Sequence, residues 1–423
     1  MIMSKNYLGF VIVACIVIIY SACSVTSKSG ETVTAGKISQ EQGTGNGLKI
    51  FQDLQYKNYE QKAHAWIAEA SPQELVGQVL MLFVPGTEPS KRGIELLERV
   101  HPGAVILFEA NIAGTPEGVR KFTDFLRIHG TIRGLSPFIA VDHEGGVVYR
   151  LKNNAVHLPA PLKYAGSSGA AYAKTSGLIA GSELRALGFT LNLAPVAESG
   201  NAKQVLGTRI WSLNPEQSGL FASHYISEHQ AQGTACTLKH FPGTGATDPH
   251  KSLSVLTDDS ASFSCLYLTP FSHALTAEPA AVLLSLVIAP VLDPHEPVVF
   301  SYKAITEFLK KKFNYRGFVL TDDLYMKALS GYGSIPERCL KALNAGCDML
   351  MLSGSDVQEV IAFLLKALEE GRLDRKRLED AVTRIIVQKL RFKVGDISPF
   401  SQESYTKLLA EHTELLNAVI QKE

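Results

Sequence analysis

The sequence predicts an α/β fold, a single (β/α)8 barrel of TIM type with extra C-terminal helices, preceded by a signal or anchor segment and a flexible tether. Three observations predict it. Apolar runs of strand length recur eight times, stretches of helical periodicity separate them, and polar clusters stand where the strand-like runs end. Continuous rather than alternating apolar character implies parallel strands covered on both faces, and eight of them imply closure.

The chain begins with Lys5 and the apolar run "LGFVIVACIVIIY", which is too short to span a bilayer comfortably and ends in Ser21-Ala22-Cys23. That ending resembles the cleavage box of bacterial lipoproteins, although Tyr20 stands where an aliphatic residue is usual. The resemblance implies lipidation at Cys23 and a membrane anchor; the alternative is an uncleaved anchor helix. Either reading expects export, to the periplasm or the cell surface. Residues 1–23 are thus read as signal segment. The Ser, Thr, Gly, Lys and Gln composition of residues 24–50 reads as tether, and 51–423 as one barrel domain.

The strand-like runs are "QVLMLFV", "AVILFE", "FIAVD", "TLNLAPV", "CTLKHF", "AVLLSLV", "GFVLTD" and "DMLML". Helical stretches such as "EGVRKFTDFLRIHG" and "PERCLKALNAG" lie between them. Two more, "DVQEVIAFLLKALEEG" and "RKRLEDAVTRIIVQKLRF", follow the last strand. In the latter, Leu378, Val382, Ile385 and Ile386 are expected on the buried face, and Arg375, Glu379 and Lys389 on the solvent face.

Composition narrows the ligand. Lys plus Arg and Asp plus Glu each total 41, so no global field attracts nucleic acid, and a small neutral ligand fits better. With 46% hydrophobic and 19% charged residues, the chain has ample core material. Cys236, Cys265, Cys339 and Cys347 show no Cys-x-x-Cys or Cys/His spacing, so no metal is implied, and buried free thiols are expected, with a disulfide left open. No Gly-x-Gly-x-x-Gly opens a helix after a strand, so no nucleotide cofactor is implied.

In such barrels chemistry sits at the carboxyl ends of the strands. "FIAVD" ends at Asp142 and runs into His143-Glu144-Gly145-Gly146, "CTLKHF" ends with Lys239 and His240, and "GFVLTD" ends at Asp322-Asp323. Strand-end aspartates also cap helices, but three clusters on one rim point to a site. In the loop "KHFPGTGATDPH", Asp248 can bond one nitrogen of His250 and leave the other to exchange a proton. Gly243 and Gly245 would let that pair swing. Alone, Asp-x-His is more often a solvated loop.

"KHFPGTG" followed by "DPH" resembles the signature of glycoside hydrolase family 3, specifically its bacterial β-N-acetylglucosaminidases. "VDHEGGVVYRL", "RGFVLTDDLYMKAL", "LGTRIW", "LNLAPV" and "LNAGCDMLML" are similar to other segments of that family, so the likeness runs from Gln78 to Lys389. It implies retaining hydrolysis of a GlcNAc-containing glycan such as peptidoglycan fragments, with Asp322 as nucleophile and His250, held by Asp248, as acid and base. Asp142, Arg150, Arg209, Lys239 and His240 fall on sugar-binding positions, and Asp323 is expected to orient its neighbours. Lys239 and Arg150 are expected to hold the Asp322 carboxyl down.

The chain also departs from the pattern. Thr244 and Leu286 stand where the family has histidines, Val147 where it has an arginine, and Glu198 where an aspartate is common; the gap from Gly245 to Asp248 is shorter. Three readings follow. The first is the β-N-acetylglucosaminidase; the second is a family 3 β-glucosidase or a phosphorylase; the third is a sugar-binding surface lipoprotein with weakened turnover. The β-glucosidases usually take their acid from a second domain, for which little chain remains after Leu390.

Overall fold

A computed structural model of the chain describes residues 42–421, apart from 113 and 167. The signal segment 1–23 with Cys23, and the tether up to residue 41, lie outside the described residues.

Each of the eight apolar runs contains a strand: β1 (Leu80–Phe83), β2 (Ala104–Leu107), β3 (Phe138–Val141), β4 (Leu191–Asn192), β5 (Ala235–Phe241), β6 (Ala281–Leu284), β7 (Phe318–Leu320) and β8 (Leu350–Leu352). All pair in parallel with their neighbours in chain order, and β8 returns to β1 with Leu80 opposite Leu350. A parallel bridge between Leu320 and Met349 closes the remaining seam, and the Thr321 amide donates to the Met349 carbonyl at 3.1 Å. The sheet is therefore a closed barrel, as the apolar runs require. Strand residues such as Val105, Ile139 and Val282 are fully buried, since the barrel interior covers one face and the helices cover the other. Inside, the rings of Phe138 and Phe318 meet at 5.7 Å and fill the space between β3 and β7.

Short polar signals start the outer helices. Thr115 caps Pro116–Gly130, Asn214 caps Pro215–Ala231, and a Ser334/Glu337 capping box opens Ile335–Ala345. Between β5 and β6 runs a helix the periodicity did not reveal, Ser260–Phe263 continuing through a π turn to Thr269–Ala274. Its Ser-rich sequence with Pro270 inside reads as loop, but Phe263, Phe271 and Ala274 pack into the core and hold it helical.

Two expectations need correction. A helix, Gln42–Ala68, already begins within the stretch expected as tether, and its Ala63 and Ile67 pack into the main core. Lys389 is not on a solvent face: it is 2% exposed, and its ammonium donates to Gln78 Oε1 at 2.7 Å. The reason is periodic, because 389 follows Val382 by two turns and Ile385 by one, which sets it on the buried stripe. The rest of that reading holds: Leu378, Val382, Ile385 and Ile386 are buried, and Arg375 pairs with Glu379 at 2.7 Å on the outside. Cys236, Cys339 and Cys347 are free and buried as expected, whereas Cys265 is not among the free thiols. Among the described residues no helix is long and apolar enough to cross a membrane.

Candidate active site

A cavity of about 840 Å³ opens at the carboxyl mouth of the barrel. Asp142, Arg150, Arg209, Lys239, His240, Asp248, His250 and Asp322 all line it, so residues from the ends of β3, β5 and β7 and from three loops share one space.

A chain of alternating charges builds its wall. After β3, His143–Gly145 pairs antiparallel with Val148–Tyr149, and this hairpin carries Glu144 and Arg150 on either side of its turn. Lys239, near the end of β5, reaches past β4 to set its ammonium 2.6 Å from Asp142 and 2.7 Å from Glu144. Arg209 meets Glu144 with two hydrogen bonds of 2.8 Å, the bidentate geometry a guanidinium favours. Burial pushes the Glu144 carboxyl up, but Lys239 and Arg209 outweigh it and hold the group down at about 2. The two anions and two cations neutralise one another. Arg150 makes no ion pair among the described residues, and its buried Nε has no hydrogen-bond partner.

A second carboxylate organises the β5 loop. Glu198, after β4, accepts from His240 Nδ1 at 2.8 Å, from the His240 amide at 3.2 Å, from the Thr244 hydroxyl at 3.0 Å and from the Thr244 amide. The Lys239–His240 and Phe241–Pro242 peptide bonds within this segment are cis.

Asp322 follows β7. Its Oδ1 accepts from the Asp323 amide at 2.8 Å, while the Asp323 carboxylate accepts from the Tyr325 amide at 3.2 Å, the Ser353 amide at 3.3 Å and the Ser353 hydroxyl. Asp323 thus ties the loop after β7 to the loop after β8 and aims its own N–H at Asp322. The expectation that cations hold the Asp322 carboxyl down is not met. Burial raises it above the ordinary aspartate value, and His240, the Asp323 amide and Lys239 oppose that only in part. The reason is that Lys239 is already committed to Asp142 and Glu144.

At the mouth, Asp248 Oδ1 accepts from both the His250 amide at 2.9 Å and His250 Nδ1 at 2.8 Å. These two bonds hold the Asp248 carboxyl below its ordinary value. The His250 side chain is 71% exposed. The loop that carries the pair is pinned at its base, where the Thr247 amide donates to the Ser254 hydroxyl at 3.0 Å, and at its tip, where the Ala328 amide donates to the Pro249 carbonyl at 3.2 Å. In this structure Gly243 and Gly245 also leave room for close neighbours. A Cβ on Gly243, whose φ is +151°, would stand 2.4 Å from Tyr267 Cδ1, and one on Gly245 would stand 2.2 Å from Ser254 Cβ.

The departures from the family pattern fall in different places. Val147 sits 74% exposed at the hairpin turn, Leu286 is buried in the cavity wall, and Thr244 bonds to Glu198. Sequence reasoning missed the roles of Glu144 and Glu198. The only signals were their nearness to Asp142 and to "LNLAPV". Among the described residues no group of three His, Cys, Asp or Glu could hold a metal ion. What the geometry offers is a buried carboxylate beside neutralised ion pairs, a guanidinium with donors to spare, and an imidazole at the entrance. It suits a neutral, hydroxyl-rich ligand.

Comparison with known proteins agrees with this geometry. The family described as "Glycosyl hydrolase family 3 N terminal domain" matches residues 73–387. The chain is 32% identical over 286 residues to the beta-hexosaminidase of Stenotrophomonas maltophilia, covering 65% of this chain and 83% of the relative. It is 32% identical over 302 residues to the beta-hexosaminidase of Thioalkalivibrio sulfidiphilus, covering 69% and 84%. Among solved structures, a glycoside hydrolase family 3 beta-N-acetylglucosaminidase from a Paenibacillus species is similar with a TM-score of 0.78 at 29% identity, covering 83% of this chain and 68% of that one.

Proposed function

The chain belongs to glycosyl hydrolase family 3 and is a glycosidase similar to its hexosaminidases, and on that premise we propose that it is a retaining exo-β-N-acetylglucosaminidase acting on peptidoglycan or related fragments. The observation that carries the reading is that Asp322 and the Asp248–His250 pair line one cavity. Asp322 attacks the anomeric carbon as the glycosidic bond breaks, and His250 gives its proton to the leaving oxygen. His250 then takes a proton from water, whose oxygen displaces Asp322 and releases the sugar with its β configuration. Asp248 holds the His250 ring through Nδ1, so Nε2 carries the exchanged proton. Arg150, Arg209, Lys239, His240 and Asp142 hold the sugar's hydroxyls, and the closed charge chain discriminates against ligands that bring a charge but no hydroxyl. The apolar leader ending at Cys23 supports export and lipid attachment, which would set the site where wall fragments occur.

The test uses a nitrophenyl N-acetyl-β-glucosaminide. Turnover is expected in the wild type and is lost in Asp322→Asn, and NMR of the first-formed sugar is expected to show the β anomer. A first-formed α anomer, or turnover that survives in Asp322→Asn, would reject the mechanism. Faster cleavage of the matching glucoside favours a β-glucosidase. Rate dependence on phosphate favours a phosphorylase, and sugar binding without turnover favours a binding lipoprotein.

A further inference from the structure

We propose that Tyr405, on the C-terminal helix Gln402–Ile420, is a positioning residue that sets where Arg150 stands in the cavity. A helix beyond the family-matched residues 73–387 thereby belongs to the sugar-binding apparatus. The inference rests on the reading of Arg150 as a residue that holds the sugar's hydroxyls.

Arg150 lines the cavity, yet among the described residues no ion pair or hydrogen bond holds its guanidinium. Its place is therefore inherited from its backbone, and the residues on either side of it are tied down. The Tyr149 hydroxyl donates to the Ala155 carbonyl at 2.6 Å. Leu151 is 1% exposed, packs in one apolar cluster with Tyr405, and its carbonyl accepts from the Asn154 amide at 2.8 Å. Both neighbours of Arg150 thus belong to the turn 151–156, and only side-chain torsions remain free once that turn is fixed.

The C-terminal helix fixes it. The Tyr405 hydroxyl, on a side chain that is itself buried, donates to the Asn154 carbonyl at 2.6 Å. Farther along the same helix, His412 Nδ1 lies 2.7 Å from Glu183 Oε1, and Glu183 Oε2 accepts from the Val156 amide at 3.0 Å. The other ties on the turn are weaker. Lys152 pairs with Glu109, but both side chains are about half exposed and water competes for them. The Asn154 side chain reaches the Ile112 carbonyl only at 3.5 Å, at the limit of a hydrogen bond. Removing the Tyr405 hydroxyl would leave a buried carbonyl unsatisfied four residues from Arg150, so the turn must shift to recover a partner.

The test is a double-mutant cycle on the full chain, read by calorimetric binding of N-acetylglucosamine. Tyr405→Phe takes away the hydroxyl and keeps the ring in the core. It is expected to weaken binding about fivefold or more, and to weaken it no further when Arg150→Gln is already present. Equal losses in the two backgrounds would mark a general loosening and overturn the proposal, as would a lower melting temperature with unchanged binding. A second measurement needs no variant. If the turn favours the sugar, the sugar must favour the turn, so amide exchange across 151–157 in the wild type is expected to slow when N-acetylglucosamine is added. Exchange that does not change there overturns the proposal. Arg150→Gln that binds as the wild type does rejects the reading of Arg150, and the inference with it. Weak binding by Arg150→Gln beside unaffected binding by Tyr405→Phe rejects the inference alone.

Discussion

The Lys239 ammonium lies 2.7 Å from Glu144 Oε1, and both side chains are almost wholly buried. Such a contact is worth little as a simple attraction, because both charges were stripped of water. Its force lies in what breaking it would leave. Glu144→Gln strands Lys239 with Asp142 alone and Arg209 without its fork, at a cost of roughly 3 kcal/mol in denaturant unfolding. The pH sign follows from the depressed carboxyl. Glu144 contributes stability above its unfolded value near 4.5, and that contribution is lost as pH falls toward about 2. The wild type should therefore lose stability across that window more steeply than Glu144→Gln. Parallel curves would show that the pair does not control acid unfolding.

His250→Ala should separate leaving groups. A proton donor matters most when the departing oxygen is strongly basic, so a disaccharide is expected to lose roughly a hundredfold or more in kcat. A dinitrophenyl glycoside, whose leaving group needs no proton, should lose far less in the glycosylation step. Equal losses on both substrates, measured by steady-state rates, would remove His250 from the acid role.

Gly245→Ala tests the pinned loop. The added methyl would meet Ser254, the residue to which Thr247 is tied, so the base of the loop must shift and carry Asp248 and His250 with it. Activity is expected to fall about tenfold or more, as a small misplacement of an acid can cost that much. The melting temperature should change little, because the segment lies at the rim and not in the barrel. Full activity would mean that the loop's base does not set the position of His250.

The barrel was legible because burial on both faces leaves strands few polar positions, so eight apolar runs stood out against helical periodicity. Within the runs the true strands were not legible. "TLNLAPV" yields only Leu191–Asn192, since the run continues as buried loop toward Glu198. The candidate residues were legible because strand ends are where polar groups interrupt apolar ones. Their partners were not: that Glu144 bridges Lys239 and Arg209, or that Glu198 serves His240, depends on which strands the closed sheet brings side by side. The helix Ser260–Phe263 to Thr269–Ala274 was illegible for a different reason, since packing of Phe263 and Phe271 overrides its loop-like composition.

Lys389 offers the opposite case to Glu144, a buried cation with no carboxylate in ion-pair range among the described residues and one hydrogen bond, to Gln78. Burial drives its ammonium well below the ordinary lysine value. The folded state thus disfavours the charged form, and at neutral pH either the charge or its loss costs free energy. Lys389→Met, similar in length and without the charge, should raise stability by about 1 kcal/mol or more in denaturant unfolding. The sign with pH is the reverse of the usual lysine case. The penalty is full below the depressed folded value and fades as pH climbs toward the unfolded value near 10.4, where both states hold a neutral amine. The stability gap between Lys389→Met and wild type should accordingly narrow with rising pH. A gap that is constant with pH would mean that the gain comes from packing rather than from removing a charge.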